Sequence, residues 1–204
     1  PPEGYWSAIQ TVLNKYDILL IADEVVTGFG RTGSMMGSDH YQMTPDIITI
    51  AKGLTSAYAP LSGSIVSEKV WAVLEQGTDE FGPIGHGWTY SAHPSCAAAG
   101  VANLKLIDDL NLIENNTTIG DYLRQQLTAT IGDHPYVGDI RGVGMLAAVE
   151  FVEDKETSRP FDPAAGIGAK IAAALAARGV AIGAANFQGP WDGKTSSGSI
   201  GDSY

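Results

Sequence analysis

The sequence predicts an α/β protein, strands accompanied by helices, and three observations predict it. Two uninterrupted apolar runs, one within residues 17–26 and one ending at Ala51, have the length and β-branched content of sheet strands. Each meets charge at its C-terminal end, Asp23-Glu24 in the first and Lys52 in the second. Around them lie segments with apolar residues at helical spacing, and from Tyr136 the texture changes to strands punctuated by glycine.

In chain order, residues 1–16 read as a helix entered through Pro1-Pro2-Glu3-Gly4, with Tyr5, Ile9, Val12 and Leu13 as its apolar stripe. The first strand follows, and then Gly28, Gly30 and Gly33. These satisfy G-x-G-x-x-G, but residues 23–27 intervene after the strand core and no acidic residue falls at the ribose-binding distance, so the glycines are read as a tight turn with Arg31 structural. After Lys52, residues 61–67 read as a strand and residues 68–76 as a helix with Val70, Val73 and Leu74 inward. A glycine-rich loop over 77–87 leads to Trp88-Thr89-Tyr90. Alanine-rich 94–110 and amphipathic 112–130 read as two helices linking a large domain to a smaller one. Residues 137–151 read as paired strands with a glycine turn, 153–156 as a solvated loop, 163–178 as a helix closed by Gly179, and 187–204 as irregular chain.

The global numbers remove classes without selecting a function. With 204 residues, 44% hydrophobic and 17% charged, the composition is that of an ordinary globular protein. A net charge of -11 argues against nucleic acid or an anionic membrane as partner. The single Cys96 cannot form an internal disulfide, which is consistent with a reducing cytoplasm, and no signal peptide or spanning apolar stretch is read. His40, His86, His93 and His134 show no metal-ligand spacing, so no metal is expected.

If the two strands are parallel, they deliver a carboxylate and an amine to one sheet edge, where open α/β sheets bind ligands. Buried, each charge needs something polar to face. They could form an ion pair, or grip two ends of one cofactor.

Three blocks carry a resemblance: Leu20–Gly33 (LIADEVVTGFGRTG), Pro45–Thr55 (PDIITIAKGLT) and Gly87–Pro94 (GWTYSAHP). In this order and approximate spacing they resemble class III aminotransferases of the omega type, pyridoxal-phosphate enzymes of fold type I, and the general likeness runs from Pro1 to about Ala184. The resemblance implies the second half of a cofactor-binding large domain, a mostly parallel sheet packed with helices, plus interdomain helices over 1–130, and a partial small α+β C-terminal domain over 131–204. Lys52 then matches the lysine joined to the cofactor aldehyde, which as a neutral amine moves a proton. Asp23 matches the carboxylate paired with the pyridine nitrogen. Val25, on the same strand face if the strand continues, matches the aliphatic residue packed on the ring.

Thr89 matches the threonine that reaches the phosphate of the partner subunit's cofactor in a homodimer; without the resemblance, it reads equally as a cap for the helix opened by Pro94. Trp88 and Tyr90 could line a pocket there or be packed aromatics. The implied reaction passes an amino group from an amine or ω-amino acid to a 2-oxo acid. The family's first half would carry the phosphate turn and the ring-stacking aromatic, so the chain is expected to be part of a longer one. No counterpart of the family's substrate-carboxylate arginine is found, and Arg178 does not match it.

Overall fold

The structure is a computed structural model and describes residues 2–184. The chain divides into two compact units, Pro1–Arg124 with Gly142–Ala147, and Gln125–Arg141 with the chain from Ala148 onward.

In the first unit, helix α1 (Tyr5–Tyr16) ends where Asp17 turns left-handed at φ 49°, its N–H returning to Asn14 and Leu13 carbonyls. Strand β1 (Ile21–Asp23) pairs in parallel with β2 (Ile47–Ile50), aligning Asp23 with Thr49. Asp46 fixes this register: its Oδ2 accepts from Leu20 N at 2.9 Å, while Asp46 N and Ile47 N donate to the Leu20 carbonyl. Strand β3 (Gly63–Val66) runs antiparallel on the other side of β2, giving the order β1-β2-β3. The sheet is thus half parallel, not mostly so. The connection from β2 to β3 contains only a single 3-10 turn, Lys52–Leu54, and lacks the crossover helix a parallel return requires.

The expected buried strands are also corrected. β1 is an edge strand, and Ile18, Leu19 and Ile21 are exposed. The glycine turn leads through a short helix α2 (Gly37–His40) into β2.

Helix α3 (Glu68–Phe81) starts on Ser67, whose hydroxyl accepts from Val70 N, and continues five residues past the expected end at residue 76, taking the start of the predicted loop with it. Helix α4 (Pro94–Asp109) carries Pro94 at its first position and packs on the Lys52–Leu54 turn: Gly100 faces Leu54 and Leu61, leaving no room for a larger side chain. Helix α5 (Leu112–Ile131) brings Gly120 against Gly144, whose carbonyl also accepts from Arg124 Nη1 at 2.6 Å.

Strands β4 (Val137–Val143), β5 (Leu146–Asp154) and β6 (Arg159–Pro160) form a sheet in that order; all of it but the β4–β5 tip within Gly142–Ala147 belongs to the second unit, where Val137 and Val152 are buried. β5 extends through Asp154, so the predicted loop begins only at Lys155. The last helix is split. Pro163–Ala165 forms a 3-10 turn, Gly166 turns left-handed at φ 58°, and helix α6 spans Ile167–Ala176. The irregular segment expected over 187–204 lies outside the described residues.

Candidate functional site

Asp23 closes β1 and Lys52 follows β2, so the parallel register sets both at the C-terminal edge of the same strand pair. Among the described residues, neither enters an ion pair, which removes the reading in which they neutralise each other. Asp23 Oδ1 accepts the Val25 N–H at 3.0 Å, leaving Oδ2 uncommitted. Both residues are exposed, so neither is a buried charge. Lys52 adopts φ 42°, a left-handed conformation that costs a non-glycine residue about 1–3 kcal/mol and clusters at functional sites.

Val25 is not on the strand face. The chain turns at Glu24, so Val25 sits half-buried in the turn beside the Asp23 carboxylate. Thr89 lies in an exposed turn before α4 and does not cap it, because the cap residue is His93 and makes no side-chain bond. Trp88 and Tyr90 are 75% and 81% exposed, so neither is a packed aromatic of this chain. The turn is closed by Ser91, whose N–H donates to the Trp88 carbonyl and whose hydroxyl accepts from Trp88 N at 2.9 Å. Arg31 contributes backbone, its carbonyl accepting from Met145 N at 3.0 Å. Gly30 and Gly33, at φ 95° and 83°, make the tight turn the sequence suggests and open no helix.

Sequence reasoning missed two polar residues behind this edge. Glu24 is 2% exposed; its Oε2 accepts from Thr27 Oγ1 at 2.5 Å and Gly37 N at 2.8 Å, and its Oε1 from Ser38 N at 2.6 Å. Burial alone would raise its pKa, but the hydrogen bonds from Thr27, Ser38 and Gly37 outweigh it and hold the carboxyl below its ordinary range. Asn103, on α4, donates to the Gly53 and Leu54 carbonyls at 2.8 and 3.2 Å and accepts from Ser56 Oγ, fastening the turn that carries Lys52. The only available signal was an acid directly after Asp23, and nothing marked Asn103.

Among the described residues no group of His, Cys, Asp and Glu could hold a metal, and no helix is long and apolar enough to cross a membrane.

A family model described as aminotransferase class-III matches residues 1–188. The diaminobutyrate–2-oxoglutarate transaminase of Halomonas elongata is 61% identical over 174 residues, which are 85% of this chain and 37% of that protein. Putrescine–pyruvate aminotransferase of Pseudomonas aeruginosa is 46% identical over 162 residues, 79% of this chain and 34% of its own length. A solved structure from directed evolution of transaminases by ancestral reconstruction aligns with a TM-score of 0.87 at 64% identity, covering 89% of this chain and 40% of that one. The chain therefore spans well under half the length of the proteins it matches. The family match runs across nearly all of it, over the very strands and turns that carry Asp23 and Lys52, and the chain belongs to the class-III aminotransferases.

Proposed function

We infer that the protein is an aminotransferase that moves an amino group from an amine or ω-amino acid to a 2-oxo acid by a ping-pong reaction using pyridoxal 5′-phosphate. The observation that carries this is a carboxylate and an amine at one edge of a parallel strand pair, neither in an ion pair among the described residues, within a class-III chain. The names of the two relatives support the substrate class, pairing diaminobutyrate with 2-oxoglutarate and putrescine with pyruvate.

The residues present suit two ends of the cofactor. Asp23, with Oδ2 uncommitted, would hold the ring nitrogen in a charge-assisted hydrogen bond, and Lys52 would hold the aldehyde carbon through Nζ. Val25, beside that carboxylate, would pack on the ring. When bound, the cofactor supplies the electron sink for the bond broken at the substrate carbon. Lys52 Nζ would take the proton from that carbon and deliver it to the cofactor carbon that receives the amino group.

Thr89 would reach the phosphate held by the partner subunit of a homodimer, with Trp88 and Tyr90 lining the pocket at the same interface. Exposure of Phe81, Ile84, Trp88 and Tyr90 along one short stretch supports such an interface. In this reading, residues 1–130 belong to the second half of a fold type I large domain with its interdomain helices, and 131–204 to part of a small C-terminal domain. A cytoplasmic setting goes with the lone Cys96.

A half-reaction tests the chemistry. The protein made from the complete reading frame containing these residues is loaded with cofactor and given a diamine donor without acceptor. Conversion to pyridoxamine phosphate in proportion to sites supports the reading. Return of the aldehyde form after turnover refutes it in favour of an epimerase, aminomutase or decarboxylase on the same fold.

A further inference from the structure

The turn between Asp23 and the start of α2 touches Asp23 and the residue after Lys52, and one buried side chain laces it. At its near end, Val25 N–H orients Asp23 Oδ1, and the turn containing Val25 is closed by Gly28 N donating to the Glu24 carbonyl at 2.9 Å and by Thr27 Oγ1 donating to Glu24 Oε2. In its middle, the Phe29 side chain lies against Gly53, the residue after Lys52, so closely that a Cβ at Gly53 would meet Phe29 Cβ and Cδ2 at 3.2 Å. Phe29 is itself left-handed at φ 62°, with its N–H on the Met35 carbonyl at 2.6 Å. At the far end, Glu24 accepts the Gly37 and Ser38 N–H groups.

We propose that Glu24 is a positioning residue: its carboxylate holds the 24–38 turn in the one conformation that aims Asp23 and backs the Lys52–Gly53 bend. This deepens the aminotransferase reading and rests on it. The geometry requires a carboxylate, because three donors converge on two oxygens and a glutamine offers only one acceptor oxygen, turning its NH₂ toward an N–H. The partners of Glu24 are uncharged; the neighbouring acids in the chain are Asp23 itself and Asp39, whose Oδ2 accepts from Met36 N at 3.2 Å. A positioning role of this kind differs from mere support, since a misplaced Asp23 alters the electronic state of the cofactor it would hold.

The test compares Glu24→Gln with Val152→Ala in the holoenzyme from the complete reading frame; Val152 is buried against Gly138 in the second unit and serves as a stability control. Measured for each are the denaturant midpoint, the cofactor Kd and the pH midpoint of the bound cofactor's absorption change. E24Q is expected to weaken cofactor binding by roughly ten- to a hundredfold. It is also expected to move the absorption midpoint by about half a unit or more, whereas V152A lowers only the denaturant midpoint. If E24Q lowers stability as V152A does but leaves Kd and absorption as in wild type, the proposal is overturned. Should E24Q not fold, Thr27→Val removes one of the three bonds and must move the same two quantities in smaller measure; no movement overturns the proposal equally. A wild-type protein that binds no cofactor overturns the aminotransferase reading as well, so the two failures are distinct.

Discussion

Asp23 has one oxygen committed to Val25 and one free, so its replacement by asparagine preserves the backbone contact while removing the charge. Asp23→Asn should weaken cofactor binding by roughly ten- to a hundredfold, the range for losing one charge-assisted hydrogen bond; fluorescence titration measures it, and unchanged affinity would contradict the role given to Asp23. Glu24 makes a prediction for stability against pH. Its folded pKa lies below the ordinary value of 4.5, so its stabilising contribution is complete above that value and is lost as pH falls through the lower folded pKa. Urea midpoints near neutrality and near pH 3 should therefore differ more in wild type than in E24Q, and equal differences would contradict it. The positions of Asp23 and Lys52 at strand ends were legible in the sequence because each ends an apolar run on a charge. Glu24 was legible only as the next acid in line, since its partners lie in a glycine turn that has no periodicity, and Asn103 reaches the lysine turn from a helix fifty residues away.

The elements that hold the site are short, and their tightest contacts are made by glycines and one asparagine. Asn103→Ala leaves two carbonyls of the Lys52 turn without their donor and should cost about 1–3 kcal/mol in a denaturant titration. A cost near zero would mean the turn holds itself. Gly120→Ala would drive a methyl group into the Gly144 carbonyl and should cost about 1–3 kcal/mol, read as a lower Tm. Helices α1, α4 and α5 fall close to where apolar spacing, Pro94 and the alanine-rich run put them. β1 covers only part of its apolar run: after the Glu24 N–H donates to the Thr49 carbonyl the chain leaves the ladder, and the Glu24 side chain bonds to residues beyond the turn and not across the sheet. That departure removes Val25 from the strand face, a local event that period-two reasoning cannot anticipate. α3 runs on to Phe81 because Gly77 tolerates the helix interior at a modest cost, so glycine there was a weak stop signal.

At the scale of the molecule, apolar area is left uncovered on the edge strand β1 and along the stretch from Phe81 to Tyr90. The chain expressed as given should self-associate, and raising salt should strengthen association by screening a net charge of -11; sedimentation at two ionic strengths checks this, and a monomer at both would contradict it. Two charged strand ends were legible, while the parallel pairing that sets them at one sheet edge comes from the structure, and the antiparallel return of β3 depends on what the connecting segment lacks. The central claim is that Lys52 carries the cofactor, and borohydride reduction of the cofactor-loaded protein followed by peptide mapping tests it most directly. The account predicts a reduced pyridoxyl adduct on the peptide containing Lys52; a folded, cofactor-binding protein with its adduct on another lysine, or with none, would contradict it.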